Sequence, residues 1–212
     1  MSRTALVATA AGALLFAGAS LAVGLATNRH GGNLARRSPS LYRGSAPPPG
    51  IRAPDFPRRD FRGREVTMSR LRGFVVLLSF VDSKCTQSCP IVAGIVARAM
   101  QQLPPADRRR VVPLLMSVNP NLDTPVSVHR FLARRRALSL SYLIGTVRRM
   151  RPIWKAYGVL AAVDTGNADV HSSDVRVFDR NGIWVSTQHV AVDLTVANLK
   201  HDAKLALRRT FR

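Results

Sequence analysis

Long runs of apolar residues and a change in their spacing predict the centre of the fold. Residues 74–81 and 111–118 are apolar with almost no polar alternation, which is typical of strands buried on both faces. From Ile91 to Leu103 the apolar positions instead fall on one helical stripe, and Pro104 ends it. The chain is therefore predicted to pass from a central strand into a helix near residue 90.

Further elements follow the same two patterns along the rest of the chain. They are a short hairpin around Arg62, a helix beginning at Pro125, a strand over residues 138–144, a helix from Thr146 to Tyr157, strands over residues 170–178 and 183–190 joined by the turn Asp179–Gly182, and a last helix capped by Thr195. Strands that alternate with helices, followed by a hairpin and a helix, favour an α/β fold. We predict a thioredoxin-like sandwich with a mixed central sheet and helices on both faces.

The first 52 residues differ in composition from the rest of the chain. Thr4–Thr27 carries no charge and is long enough to cross a hydrocarbon layer as a helix. We predict residues 1–28 to be a membrane anchor, which we prefer to a cleaved signal segment. Residues 29–52 are rich in Gly, Pro, Ser and Arg and predict a flexible tether. Residues 53–212 are then the folded domain.

The chain is strongly basic, with a formal net charge of +20 and a pI near 11.8. Nearly all of its basic residues are arginines spread along the chain, and no nucleic-acid-binding signature accompanies them. We therefore predict that nucleic acid is not the partner. The charge is interpreted as a solvated surface that favours anionic lipid or an acidic protein.

Both cysteines, Cys85 and Cys89, lie at the predicted junction between the central strand and its helix. Pro90 fits a first helical turn, which places Cys89 at the helix start. Unpaired N–H groups at that position and the neighbouring Lys84 favour a thiolate over a thiol. Thiolates are nucleophiles in disulfide exchange and soft ligands for Cu(I) or zinc. A structural disulfide or two buried thiols is the alternative, and the spacing alone leaves it open.

A metal site would need a third donor, and the five histidines are the candidates. His30, His129 and His201 fall in the tether or on helices where solvent is expected. His171 and His189 remain. His171 follows a polar loop at the predicted start of a strand, where an imidazole can be both exposed and rigidly supported. From the residues alone, a surface histidine is the more common explanation.

Several motifs taken together resemble the SCO/SenC family. They are Leu71-Arg-Gly73, Cys85-x-x-x-Cys89-Pro90, Ser117-Val-Asn-Pro120 with Asp123-Thr-Pro125, Trp154-Lys-Ala-Tyr-Gly-Val159, His171-Ser172 and Phe178-Asp179-x-x-Gly182. The similarity runs from about Pro54 to the C-terminus, and the layout of anchor and tether also matches.

The resemblance implies a membrane-anchored copper chaperone in which Cys85 and Cys89 are thiolate ligands and His171 is the imidazole ligand of Cu(I) or Cu(II). Such proteins deliver copper to, or reduce the cysteines of, the binuclear copper centre of cytochrome c oxidase. The expected partner is therefore that copper-centre subunit, or another copper or thiol partner.

The same resemblance implies a location in the bacterial periplasm, at the cell exterior or in the mitochondrial intermembrane space. A cysteine pair poised for exchange agrees with the extracytoplasmic side. The arginines that follow the apolar segment weakly favour the opposite orientation.

The chain departs from the family pattern at three places near the expected site. Val170 stands where an aspartate usually precedes the histidine, with Asp169 one place earlier, Asn119 replaces a common aspartate, and Val81-Asp82-Ser83 replaces an aromatic-Thr stretch. The three candidate ligands remain, while copper affinity, redox tuning and partner choice stay open. Three other aspartates are predicted to be cap or turn residues rather than ligands: Asp123, Asp174 and Asp179.

Two other functions compete with a metallochaperone, and whether the protein is an enzyme stays open. In the first, Cys85 and Cys89 are the redox pair of a thiol-disulfide oxidoreductase without a copper role. The two cysteines are separated by one residue more than in the usual Cys-x-x-Cys redox pair. This spacing should change the geometry of the disulfide ring, so efficient turnover is less expected. The second, a basic anchored adaptor with structural cysteines, is the weakest.

Overall fold

The computed structural model describes residues 40–210, which are built around one seven-stranded sheet. Its strands are β1 (Arg58–Asp60), β2 (Glu65–Val66), β3 (Val75–Val81), β4 (Val111–Ser117), β5 (Ser141–Ile144), β6 (Val175–Phe178) and β7 (Trp184–Gln188). They lie in the order β2-β1-β5-β4-β3-β6-β7. β3, β4 and β5 run parallel, and the other neighbours are antiparallel. The predicted mixed sheet is confirmed.

Six helices accompany the sheet within the described residues. They are α1 (Ser88–Gln102), α2 (Pro105–Arg108), α3 (Pro125–Ala133), α4 (Val147–Tyr157), α5 (Ala162–Thr165) and α6 (Val196–Arg208), together with a short 3₁₀ turn (Ser69–Leu71). The sequence predicted the four long helices and missed the two of four residues, which are too short to show a periodic pattern.

The two faces of the sheet bury separate hydrophobic clusters. Along β3, Leu77 belongs to the cluster that packs against α1, α3 and α6, whereas Leu78 belongs to the cluster under α4 and α5. All seven residues of β3 are buried, because helices cover it on both sides. The predicted α/β sandwich with helices on both faces is confirmed.

The topology brings three loops to one edge of the sheet. β3 and β4 are parallel, with Val81 paired to Ser117, so the loops that follow them leave from the same edge. β6 is antiparallel to β3, and its first residue, Val175, pairs with Ser79. The loop that enters β6 therefore arrives where the loop after β3 departs.

The strand predicted over residues 170–178 is shorter than expected, and this changes the setting of His171. β6 begins only at Val175, so His171 lies in a loop and does not open the strand. That prediction was wrong because the polar residues 172–174 stay outside the sheet. The third strand is also shorter than predicted, since β5 begins at Ser141.

Part of the segment assigned to the tether packs against the folded domain. Ser45 forms a β-bridge with Thr187, and Arg52 forms one with Ile183. The buried carboxylate of Asp202 on α6 accepts hydrogen bonds from the backbone N–H groups of residues 43 and 44, at 2.8 and 3.1 Å. Residues 43–52 therefore contact the folded domain, although they precede the domain boundary predicted at residue 53.

The predicted anchor, Thr4–Thr27, lies outside the described residues and stays a prediction, as do the domain limits derived from it. Between residues 40 and 210, no helix is both long and apolar enough to cross a membrane.

Replacing Asp202 with alanine tests whether residues 43–52 belong to the cooperative fold. The carboxylate also accepts from Ser186 Oγ at 2.7 Å and Gln188 Nε2 at 2.8 Å, so its loss leaves several buried donors unpaired. We expect Asp202→Ala to lower the free energy of unfolding by about 2–4 kcal/mol and to speed amide exchange at residues 43–45. Urea denaturation and hydrogen exchange measure both effects.

The control is Asp164→Ala, which removes an exposed ion pair with Arg151 and should cost less than about 1 kcal/mol. Equal stability of the Asp202 variant and the parent would show that the contacts of residues 43–52 with the domain do not contribute to its stability.

Candidate metal centre

The end of β3 and the first turn of α1 bring the two cysteines together. Cys85 lies in the loop after β3 and Cys89 in the first helical turn, and the backbone N–H of Cys89 points at Cys85 Sγ, 3.3 Å away. Pro90 follows in that turn, where the N–H that it lacks would have no helical partner. Both thiols are unbridged, and their residues are 3% and 0% exposed.

His171 reaches the same point from the loop before β6. Its Nε2 lies 3.1 Å from Cys89 Sγ, and its Nδ1 lies 2.8 Å from the carbonyl oxygen of Ser172. Because a carbonyl oxygen only accepts, Nδ1 carries a proton, and Nε2 faces the sulfurs. Nε2 donates to sulfur when the ring is protonated and offers a lone pair when the ring is neutral. The donor atoms of Cys85, Cys89 and His171 all lie within 4.8 Å of one another.

The other described histidines lie elsewhere, and His30 is outside the described residues. His189 Nε2 lies 3.2 Å from Ser45 Oγ, His201 Nδ1 lies 3.0 Å from Asp202, and His129 is exposed on α3. The sequence narrowed the choice to His171 and His189, and the fold brings only His171 to the cysteines.

The two cysteines have opposite acidities. Hydrogen bonds from the Cys89 thiol, and then from His171, outweigh burial and lower the pKa of Cys85 to about 4. Burial, and then the neighbouring Cys85, raise the pKa of Cys89 above its ordinary value. Burial alone would lower the pKa of His171, but its hydrogen bonds and the nearby Cys85 thiolate raise it. The pair is therefore one thiolate and one thiol.

Two of the departures from the family pattern contact each other. Asn119 Nδ2 donates to Asp82 Oδ2 at 2.8 Å, and the other carboxylate oxygen of Asp82 accepts from the backbone N–H of Lys84 at 2.7 Å. Both side chains are buried. An aspartate at position 119 would put a second carboxylate against Asp82, and asparagine supplies a donor instead. Sequence reasoning noted each substitution but missed the pairing, because the two residues lie 37 positions apart.

The third departure, the shift of the aspartate from position 170 to 169, connects the two loops of the site. Asp169 accepts from the backbone N–H groups of Thr86 and Gln87 at 2.7 and 3.2 Å, and from Thr86 Oγ1 at 3.1 Å. These donors lower the pKa of Asp169. The histidine loop is thus hydrogen-bonded to the cysteine loop, while Val170 is exposed.

Asp123 is a buried connector and does not cap a helix. Its carboxylate accepts from Ser83 N at 2.9 Å, from Ser117 Oγ at 2.5 Å and from Tyr142 OH at 2.8 Å, and burial raises its pKa to about 6. Thr124 caps α3 instead, with its side chain accepting from Ser127 N at 3.1 Å. Asp123 therefore holds the cysteine loop against β4 and β5.

The other two aspartates also differ in role. Asp179 is a turn residue as predicted, because it accepts from the backbone N–H groups of Asn181 and Ile183. Asp174 instead pairs with the buried guanidinium of Arg176 at 2.6 Å. Neither belongs to the cluster of metal-ligating side chains found in residues 40–210.

Comparison with known proteins gives one consistent result. The SCO1/SenC family model matches residues 47–201. The mitochondrial protein SCO2 of Saccharomyces cerevisiae is 28% identical over 104 residues, which cover 49% of this chain and 34% of the yeast protein. The matched stretch is thus about a third of that relative's length.

Two solved structures are similar over most of this chain. One is Bradyrhizobium japonicum ScoI with copper bound, with 25% identity, a TM-score of 0.59, and coverage of 74% of this chain and 100% of that one. The other is BsSco, described as a member of the Sco family of cytochrome c oxidase assembly proteins and as having a disulfide switch. It has 19% identity, a TM-score of 0.63, and coverage of 78% and 99%. At that identity BsSco supports the fold, which is thioredoxin-like as predicted.

The acidity of the cysteine pair can be measured from thiolate absorbance during a pH titration. We expect one thiol of the metal-free protein to ionise with a pKa of about 4. The Cys85→Ser variant should lose this step, because the remaining thiol of Cys89 is the buried, less acidic one. Cys89→Ala should keep the step but raise its pKa, since the thiol that donates to Cys85 is gone. An acidic thiol that persists in Cys85→Ser would reverse the assignment.

The connection between the loops is tested by Asp169→Ala. Because the backbone N–H groups of Thr86 and Gln87 both donate to this carboxylate, their amide exchange should become severalfold faster when it is removed. Nuclear magnetic resonance resolves these amides individually. Asp164→Ala, five positions earlier, is the matched control and should leave them unchanged. Unaltered exchange in Asp169→Ala would mean that the loops hold together without this carboxylate.

Proposed function

Because the chain belongs to the SCO1/SenC family, we propose that it binds copper and acts in the assembly of cytochrome c oxidase. The observation that carries the proposal is the convergence of Cys85 Sγ, Cys89 Sγ and His171 Nε2 within 4.8 Å at one edge of the sheet. The copper is cargo, and its proposed ligands are these three side chains.

The donor set fits copper by its chemistry. Two thiolates are soft ligands that select Cu(I), and an imidazole nitrogen adds affinity for Cu(II). The Nδ1 of His171 donates to a carbonyl, which fixes the ring orientation and leaves Nε2 as the ligand atom. Cys85 already favours the thiolate, so copper binding has to displace a proton from Cys89, and from Nε2 of His171 when that ring is protonated.

We propose delivery of copper as the function of the site. All three donors lie on loops or in the first turn of a helix at one edge, with His171 only partly buried. Thiolates of an acceptor can approach there and replace the ligands one at a time. The acceptor we propose is the copper-centre subunit of the oxidase.

A second candidate, reduction of the partner's cysteines, is favoured by the unequal acidity of the pair. The Cys85 thiolate attacks a partner disulfide, forms a mixed disulfide and releases one partner thiolate. Cys89 then loses its proton and attacks the Cys85 sulfur, which closes an intrachain disulfide and releases the second partner thiolate. Two electrons pass from this chain to the partner.

We further propose that residues 1–28 anchor the protein in a membrane, with the folded domain on the extracytoplasmic side or in an intermembrane space. Support comes from the apolar, uncharged segment of Thr4–Thr27 and from a thiol pair suited to a compartment that permits disulfides.

Replacing His171 with alanine tests the proposed ligand set. We expect the reduced parent protein to bind about one copper per chain and to show a sulfur-to-copper charge-transfer band with Cu(II). His171→Ala should weaken Cu(II) binding by about 100-fold or more and reduce the band at a given copper concentration, while the two sulfurs still hold Cu(I). Competition titrations and absorption spectra provide both measurements.

His189→Ala is the matched control, since His189 faces Ser45 and not the sulfurs. Unchanged Cu(II) binding in His171→Ala would rule out this ligand. Reduction of a peptide disulfide by the metal-free protein, without copper uptake by the parent, would favour the second candidate.

A further inference from the structure

A groove with a basic lining adjoins Cys85. It has a volume of about 260 Å³, and Lys84, Arg130, Arg134 and Arg135 supply its charged side chains. Cys85 is part of the same lining, and no carboxylate is. We call this surface the Cys85 groove. It brings the loop after β3 together with the end of α3, so four positive charges surround the approach to one thiol.

The four cations of the Cys85 groove have no acidic partner within residues 40–210. The nearby carboxylates are already engaged. The carboxylates of Asp82, Asp123 and Asp169 accept hydrogen bonds from the backbone N–H groups of residues 83, 84, 86 and 87. The four cations of the groove are therefore not paired with any carboxylate in the described part of the chain.

Arg135 is held in place beside the groove. Its guanidinium lies 4.8 Å from the centroid of the Phe131 ring, and its Nε is buried with no hydrogen-bond partner among the described residues. A buried donor without an acceptor is costly. Fixing the guanidinium against a ring makes it a prepared site for an anionic group that enters the groove.

Helix stability explains only part of this arrangement. Arg130 and Arg134 lie at the C-terminal end of α3, where cations interact favourably with the helix dipole. Lys84, on the opposite wall, belongs to the loop after β3 and gains nothing from that helix end. Charges from two separate elements thus converge on one space.

We propose that the Cys85 groove docks an acidic peptide segment of the protein that exchanges copper or electrons with Cys85. This proposal rests on the proposed function, because the partner is the protein that receives copper or electrons. It adds that acidic side chains of the partner are what the groove recognises. Carboxylates of the segment bind Lys84 and the arginines, which places the partner's thiols beside Cys85. A volume of about 260 Å³ holds a few side chains and is small for a whole cofactor. Charge pairing of this kind raises the association rate and is weakened by salt.

The test uses the metal-free, reduced full-length protein and two synthetic peptides, acetyl-Glu-Glu-Ser-Glu-Glu-amide and the same peptide with glutamine for glutamate. Neither has a thiol, so binding is independent of copper and of disulfide chemistry. In a nuclear magnetic resonance titration, we expect the acidic peptide to shift the amide signals of residues 83–86 and 130–135. The glutamine peptide should bind about tenfold more weakly or worse.

Two double variants separate the groove from the general basic charge of the protein. The double variant Arg130→Gln with Arg134→Gln should bind the acidic peptide about tenfold more weakly than the parent. Arg108→Gln with Arg109→Gln removes the same charge from exposed positions before β4, at the opposite edge of the sheet, and should have little effect. Equal weakening by both pairs, or equal binding of the two peptides, would overturn the proposal.

Inorganic phosphate is the competing probe. If phosphate binds the groove more tightly than the acidic peptide, the site is a small-anion site and the proposal of a peptide is wrong. Copper uptake is measured in parallel, and the Arg130 and Arg134 variant should match the parent, since neither residue is a proposed ligand. Failure of the parent to bind copper would refute the proposed function but not peptide binding at the groove.

Discussion

Three carboxylates hold the loop between β3 and α1, and the candidate metal centre depends on them. Each binds a different backbone N–H of the loop: Asp123 binds Ser83, Asp82 binds Lys84, and Asp169 binds Thr86 and Gln87. They come from three separate segments, namely the start of α3, the end of β3 and the loop before β6. The loop has little apolar surface of its own, so these hydrogen bonds fix where the sulfur of Cys85 lies.

This arrangement surrounds a thiolate with negative charge, which the rest of the site must offset. Asp169 itself raises the pKa of Cys85, yet hydrogen bonds from Cys89 and His171 outweigh it. The carboxylates accept hydrogen bonds from backbone N–H groups of the loop, and Lys84 and three arginines line the groove next to the thiol. Hydrogen bonds to the carboxylates thus position the loop, while the basic groove attracts anionic groups toward Cys85.

The sequence predicted those parts of the fold that depend on local patterns. The buried β3, the helix after it and the mixed sheet follow from the spacing of apolar residues, and the family motifs pointed to Cys85, Cys89 and His171. Contacts between distant polar residues left no such pattern. Residues 43–52 look like a tether by composition, yet Asp202, about 158 positions away, accepts hydrogen bonds from the backbone N–H groups of residues 43 and 44. The groove is likewise hidden, because Lys84 and Arg130 meet only once the sheet is formed.

The departures from the family pattern show how such a site tolerates change. Asp82 adds a buried carboxylate next to the sulfurs, and burial raises its pKa. A second carboxylate at position 119 would repel it, whereas the amide of Asn119 donates to it and adds no charge. The aspartate displaced from position 170 still reaches the cysteine loop from position 169. Each change in charge or position is thus matched by a contact that keeps the loop in place, so the three donors still converge.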